Sequence, residues 1–398
     1  MEQILNDFFM EKKISNYRVI SHIIKHKNIK YPQKNNEEIT LNNRNFILIN
    51  FIYNGLLFNL KTNLINHNTI KCLNLLINAN LGSTNYLDFN INYNKLICNH
   101  SETIRDDVLT RIESEFEEIK NINFFELNSF EHSIILNSNK GDFHQKNTIN
   151  FINFSDSMGN IYHGELKNSN NSLIEMMKQQ QVSIPDYSII KSEFEELNIT
   201  KFTKQPIMLI MHFLEYLLHS YNVLSHKSYF NKDNINLRIF PECVSLHKNV
   251  NPYFNVDVEG SIFSESFLIK HGYFVDIISN KKMAFDLELS GSDAKFNYFT
   301  GDISISPGTL FLDISKGYSN HYTEIIDFID PINKKFNYLT GELELVMYGK
   351  DAFSNRYKKY TYKSTIFDLL SKISNVASDV LIFDNYMFKE LIFDFKGV

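Results

Sequence analysis

The chain has no tryptophan, and only seven prolines, 14 glycines and three cysteines occur among its 398 residues. So little glycine and proline excludes collagen-like and low-complexity chains. Cys72, Cys98 and Cys243 are odd in number and far apart, so neither a disulfide framework nor a close-spaced metal ribbon is indicated, and a reduced, cytoplasmic setting fits. No charge of one sign dominates. Against 46 Asp and Glu stand 40 Lys and Arg, a net of −6, which gives no general field for polyphosphate or an anionic membrane. Neither nucleic acid nor a membrane is expected as a partner. The most apolar run, Ile207 to Leu218, is interrupted by His212 and Glu215 and falls short of the roughly 18 residues that cross a bilayer. The amino terminus, MEQILNDFFMEKK, carries acids inside its apolar stretch and lacks a small-residue cleavage site, so it reads as a short amphipathic helix and not as a secretion signal. Neither GxGxxG nor GxxxxGK[ST] occurs, which leaves nucleotide cofactors unsupported.

What is present is apolar material for a substantial core, 43% of residues, in a chain longer than one core normally serves. Two or more domains are therefore expected. The excess of Asn, Ile, Lys, Phe and Tyr looks like an AT-rich coding bias, and the many Asn residues are discounted accordingly.

Along the chain, NFILINFIY and LLFNLKT flank Asn54-Gly55, the sequence of a type I′ hairpin, because both central residues need positive φ. Asn68 precedes a helical stripe of Ile70, Leu73, Leu76 and Ile77, expected to end near Gly82. A strand pair is expected from Tyr86 to Cys98. Beyond it Ser101 is placed to cap a helix burying Ile104, Val108, Leu109, Ile112, Phe116 and Ile119, with Glu113, Glu115, Glu117 and Glu118 as its solvated face. Strands return from His132 to Gly164, with turns at Asn139-Lys140-Gly141 and Met158-Gly159-Asn160, followed by a polar linker over 165–205. A helix from Pro206 buries Ile207, Ile210, Met211, Leu214, Leu217 and Leu218. Residues 237–362 read almost wholly as strands, and one more helix follows around Ile366, Leu369, Leu370 and Ile373. Lys295–Gly301 and Lys335–Gly341 nearly repeat as KFNYFTG and KFNYLTG and read as two similar strand-turn corners. The pattern predicts an α+β fold: an N-terminal layered α/β domain with β-hairpins over 1–125, middle strands and linker over 126–205, and a predominantly antiparallel β domain over 206–398.

Three constellations invite chemistry. His212, Glu215 and His219 are spaced by three and seven residues, which places them on one helical face where two imidazoles and a carboxylate can converge on zinc. The plainer reading is a polar stripe beside a buried aliphatic face, since neither HExxH nor HExxxH occurs. Cys98 with His100 and Cys243 with His247 are candidate thiol–imidazole pairs. Sequence proximity supplies neither the base nor the electropositive niche a nucleophilic thiolate needs.

A resemblance enters with Asp257-Val-Glu-Gly260, Leu268-Ile-Lys-His-Gly272, Asn280-Lys-Lys-Met-Ala284, Ser290-Gly-Ser-Asp-Ala294 and Ser306-Pro-Gly308. This succession resembles the carboxyl domain of the TldD/TldE (PmbA) proteins. Thr340-Gly341-Glu342, the Ser364–Leu370 segment with Ile373, and Leu136–Gly141 are similar to further elements of that family in the same order. The resemblance implies a heterodimeric metalloprotease acting on small or unfolded peptides, in which TldD carries zinc on HExxxH plus a later cysteine and TldE lacks the metal. Here the place of the zinc helix is Leu217–Leu224: His219 persists, but Ser220 stands where the glutamate would be and Leu224 where the second histidine would be, and no cysteine follows Cys243. The chain therefore looks like the TldE side, with no catalytic or metal-binding residue of its own, zinc in a TldD-like partner, and a role in peptide cleavage such as leader removal. Lys270 in place of an acid, and Asp293 in place of an Asn, depart from the family pattern. The alternative function is a peptide-binding or scaffold protein of the same fold.

Overall fold

A computed structural model describes residues 2–31, 38–85, 87–89, 91, 114, 122–156, 161–166, 194–195, 197–249, 256–263, 266–289, 291–318, 324–329, 335–351, 357–383 and 385–396. The expected strand pair up to Cys98, the helix after Ser101 with its four glutamates, the Cys98–His100 pair, the Met158–Asn160 turn and most of the polar linker lie outside these residues. The chain divides into two compact units. One comprises Met1–Gln181, Pro252–Phe263 and Phe296–Ser304; the other comprises Val182–Asn251, Ser264–Lys295 and Ile305–Val398. Predominantly antiparallel sheets, with a minority of parallel strand pairs, and a few helices make this an α+β fold.

The first unit runs α1 (Glu2–Glu11), β1 (Tyr17–Tyr31), β2 (Glu38–Tyr53), β3 (Leu56–Thr62), α2 (His67–Asn78), β4 (Ile122–Ser138), β5 (Gly141–Asp156) and β6 (Ile161–Leu166). Its six strands pair antiparallel in the order β3-β2-β1-β4-β5-β6. The Asn54-Gly55 hairpin forms with φ of 49° and 80°, the left-handed values its turn type requires. Strand alternation sends Val19, Ile47, Ile49 and Phe51 into one buried cluster with Leu5, Phe8 and Phe9 of α1 and Leu73 of α2. Asn66 caps α2: its side chain accepts from the Thr69 N–H while the Thr69 side chain accepts from the Asn66 N–H. Gly82 does not terminate this helix. Asn80 takes the left-handed conformation, with φ 51°, and Gly82 instead allows close approach, since a Cβ there would lie 2.7 Å from Leu56 Cβ.

The second unit contains β7 (Phe194–Glu195), β8 (Ile199–Phe202), α3 (Lys204–Leu218), α4 (Ser220–Leu224), β9 (Val244–Asn249), β10 (Ser266–Lys270), β11 (Tyr273–Phe274) and α5 (Lys281–Asp286). The ribbon β12 (Ala294–Phe296) and β13 (Ile303–Ile305) has its Phe296–Ser304 portion in the first unit, and after it come β14 (Thr309–Ile314), β15 (Glu324–Ile329), β16 (Lys335–Asn337), β17 (Glu342–Asp351), β18 (Tyr357–Thr365), α6 (Ile366–Ser371), β19 (Ile373–Phe383) and β20 (Tyr386–Asp394). Its sheet is ordered β11-β10-β9-β14-β20-β8-β15-β17-β18-β7, with β16 on β17 and β19 on β20. The stretch 237–362, expected to be almost wholly strand, thus also holds the short helix α5. The KFNYFTG and KFNYLTG segments both form a strand followed by a turn that ends on a positive-φ glycine, Gly301 at 85° and Gly341 at 72°. Helix α3 lies in the core of this unit, with Ile207, Ile210, Met211, Phe213, Leu214, Leu217 and Leu218 all buried.

Candidate functional site

The sequence draws attention to the α3–α4 region. Helix α3 begins at Lys204, so Pro206 falls in its first turn, where no intrahelical partner for an N–H exists. It stops at Leu218. His219 is extended (φ −75°, ψ 128°) and bridges to Ile278: the Ser220 N–H donates to the Ile278 carbonyl at 2.9 Å and the Ile278 N–H to the Leu218 carbonyl at 3.0 Å. The expected single helical face of His212, Glu215 and His219 therefore does not form, because chain pairing pulls His219 off the helix.

Each of the three groups has a local task. His219 caps α4, its Nδ1 accepting from the Tyr221 N–H at 3.3 Å, and its Nε2 donates to the Ile305 carbonyl at 3.2 Å. One neutral tautomer satisfies both bonds, so neither ring nitrogen offers a lone pair to a metal. His212 and Glu215 meet through Tyr386, whose hydroxyl bonds to Glu215 Oε2 and lies 2.8 Å from His212 Nδ1.

At the remaining positions of the implied zinc helix, the buried Ser220 donates to Met283 Sδ at 3.2 Å and Leu224 packs against the apolar core. This donor set does not fit zinc, which takes three protein N, S or O ligands and a water in catalytic sites. Among the described residues no group of three His, Cys, Asp or Glu stands close enough to hold a metal ion. Cys243 lies in the turn that precedes β9 and His247 lies within that strand, whose rise of ~3.3 Å per residue carries the two apart. Burial pushes the Cys243 thiol up, the direction opposite to what a thiolate nucleophile requires.

The resemblance motifs acquire structural roles. In Leu268–Gly272, Gly272 has φ 81°, and a Cβ there would lie 2.2 Å from the Phe240 carbonyl oxygen. Asn280 caps α5 by accepting from the Met283 N–H. Asp293, in the Ser290–Ala294 motif, receives Lys248 Nζ at 2.8 Å and the Ser279 N–H at 2.9 Å. Burial pushes its carboxyl up, against the pull of the Lys248 ammonium. In the first unit, Asp257 Oδ1 accepts from the N–H groups of Glu259 and Ser261, folding Asp257–Gly260 into a tight turn.

Sequence reasoning missed Lys248 and a polar set in the first unit: His22, His132 and Tyr298, joined by hydrogen bonds. A signal for three of them exists. His22 falls in phase with Ile20 and Ile24 along β1, His132 with Ile134 and Leu136 along β4, and Lys248 with Val244 and Leu246 along β9, which marks the buried face of a strand. For Tyr298 nothing local distinguishes the residue from its exposed counterparts.

No family model and no curated protein matches the chain. Solved structures do. TldE from Thermococcus kodakarensis superposes with a TM-score of 0.66 at 11% identity, over 98% of each chain. A putative modulator of DNA gyrase from Thermotoga maritima gives 0.65 at 14% identity, over 99% of this chain and 98% of that one. Another from Bacteroides thetaiotaomicron gives 0.66 at 9% identity, over 98% and 96%. The order of short motifs from Leu136 to Ile373 and the likeness of structure along nearly the whole length agree, and the chain has the fold of TldE.

Proposed function

We propose that this chain is a TldE-like, metal-free subunit that works with a zinc-bearing, TldD-like partner in the cleavage or maturation of small unfolded peptides. One observation carries the reading: a TldE-type architecture is kept along the chain, while the positions at which the resemblance to TldD would place zinc ligands hold a capping His219 with both nitrogens bonded, Ser220 and Leu224. Hydrolysis would belong to the partner, where a metal polarises water. This subunit would complete the chamber and orient an extended peptide, held by strand addition at a sheet edge. Two free thiols, Cys72 and Cys243, and the lack of a described helix long and apolar enough to cross a membrane suit work in the cytoplasm.

Co-expression with a HExxxH-bearing relative tests this. The expected result is a stable complex that cleaves unfolded peptides, with stoichiometric zinc in the partner and no cleavage by either chain alone. If mixing gives neither complex nor cleavage, the proposal fails in favour of a peptide-binding or scaffold protein. Zinc bound by this chain by itself, and lost in His219→Ala, would overturn both readings.

A further inference from the structure

The sheet of the first unit has a second buried face, opposite α1 and α2. Register pairs Ile20 with Leu136, His22 with Ile134 and Ile24 with His132, so the pleat sends all six side chains, with Arg18, to that face. The two stretches of chain that return to this unit, 256–263 and 296–304, lie against it. A Cβ on Gly260 would come within 2.8 Å of Ile20 and 3.0 Å of Leu136, and Arg18 Nη1 donates to the Gly260 carbonyl at 3.2 Å.

His22 and His132 are sealed there, 0% and 1% exposed. His22 Nε2 lies 3.0 Å from the Val258 carbonyl oxygen, His22 Nδ1 lies 3.0 Å from His132 Nε2, and His132 Nδ1 lies 2.8 Å from the Tyr298 hydroxyl. A carbonyl only accepts, so His22 carries its hydrogen on Nε2 and its Nδ1 is an acceptor. His132 must then donate from Nε2, which leaves its Nδ1 to accept from Tyr298. The chain of bonds runs one way, from Tyr298 through His132 and His22 to Val258, and both rings are neutral.

An added proton disturbs this order. On His22 Nδ1 it would face the N–H of His132. The chain can absorb one proton by reversing, with His132 then donating to Tyr298, but an imidazolium is left in a site walled by Phe46, stacked on His22 at 4.4 Å, and Phe296, 5.9 Å from His132. The surrounding charges do not favour it. Cations come from three strands: Arg18 on β1, Arg44 on β2, which donates to the Phe299 carbonyl, and Lys61 on β3, whose field disfavours charge on His22. β4 contributes His132 itself, and β5 offers the neutral Gln145 and Asn147 at the positions paired with Ile134 and His132. The returning stretches carry Asp257 and Glu259 beside Val258, with Asp257 Oδ1 engaged by two backbone N–H groups, and Asp302.

The geometry points to a proton-operated latch: the neutral His22–His132 pair holds the 256–263 and 296–304 stretches on the sheet, and proton uptake by the pair releases them. Burial holds His22 down to about 3 and His132 well below the ordinary histidine value of 6.5. The closed form thus binds fewer protons than the open one, so the hold is complete above ~6.5 and weakens as pH falls. At pH 5, His22 alone weights the open form by about 30-fold relative to pH 7.5.

Two measurements on the full chain decide it. Nitrogen-15 NMR of the imidazoles should find two neutral rings in the Nε2–H tautomer that stay neutral from pH 7.5 to 5. Hydrogen exchange, corrected for intrinsic rates, should show opening of 256–263 and 296–304 rising by about 30-fold or more over that range relative to β17 and β18 of the same molecule, and the rise should shrink in His132→Gln. Either ring charged or in the Nδ1–H tautomer at pH 7.5, exchange that tracks β17 and β18, or an unchanged rise in His132→Gln would overturn the latch. If that variant does not fold, the two wild-type measurements still decide.

Discussion

Lys248 and Asp293 show how much one buried pair can hang on a single contact. Their side chains are 3% and 2% exposed and meet at 2.8 Å. Taking two charges out of water is costly, and removing one partner leaves the other without compensation. Lys248→Met or Asp293→Asn alone should each cost about 3–5 kcal/mol in urea unfolding. The double variant should cost clearly less than the sum, and additive losses would show that the two side chains are not coupled. Asn at position 293 would restore the residue of the resemblance motif, yet in this chain it strands an ammonium. The motif at Ser290–Ala294 was legible because it is a local string. The pairing of Lys248 was not, because its partner lies 45 residues away.

Elements here owe their boundaries to a mixture of local and distant causes. Helix α6 is local: Thr365 accepts from the Asp368 N–H at 3.1 Å, and the Asp368 carboxylate accepts from the hydroxyls of Tyr362 at 2.7 Å and Ser364 at 2.8 Å. Thr365→Ala should cost ~1 kcal/mol, read from the urea midpoint. Burial would raise the Asp368 carboxyl, but those hydroxyls together with Lys372 outweigh it and hold the group below its ordinary 3.8. A depressed carboxylate stabilises the fold above that value and loses its contribution as pH falls through the lower, folded one. Asp368→Asn should therefore flatten the acid limb of a stability–pH curve below about pH 4, and an unaltered limb would contradict this. The junction of α3 and α4 is the opposite case. Helical periodicity carries His212, Glu215 and His219 on as one face, and only the bridge from His219 to Ile278 ends it.

At the scale of the molecule, the first unit is assembled from three pieces of chain, 1–181, 252–263 and 296–304. A fragment of residues 1–181 would keep the six-stranded sheet but lack Val258, Gly260 and Tyr298, the groups that meet Arg18, His22 and His132. Burying those polar side chains unpaired is unfavourable. The fragment should show no cooperative urea transition where the full chain does; a sharp transition in the fragment would mean that the returning stretches are dispensable. By itself the sequence determined the α+β class, the Asn54-Gly55 hairpin, the buried stripe of α3 and the family likeness, because each rests on local φ preference, on periodicity or on the order of short motifs. Only the tertiary structure decided that His219 is a cap, that Asp293 faces Lys248, and that two histidines 110 residues apart share one hydrogen-bonded chain, because those outcomes depend on which strands become neighbours.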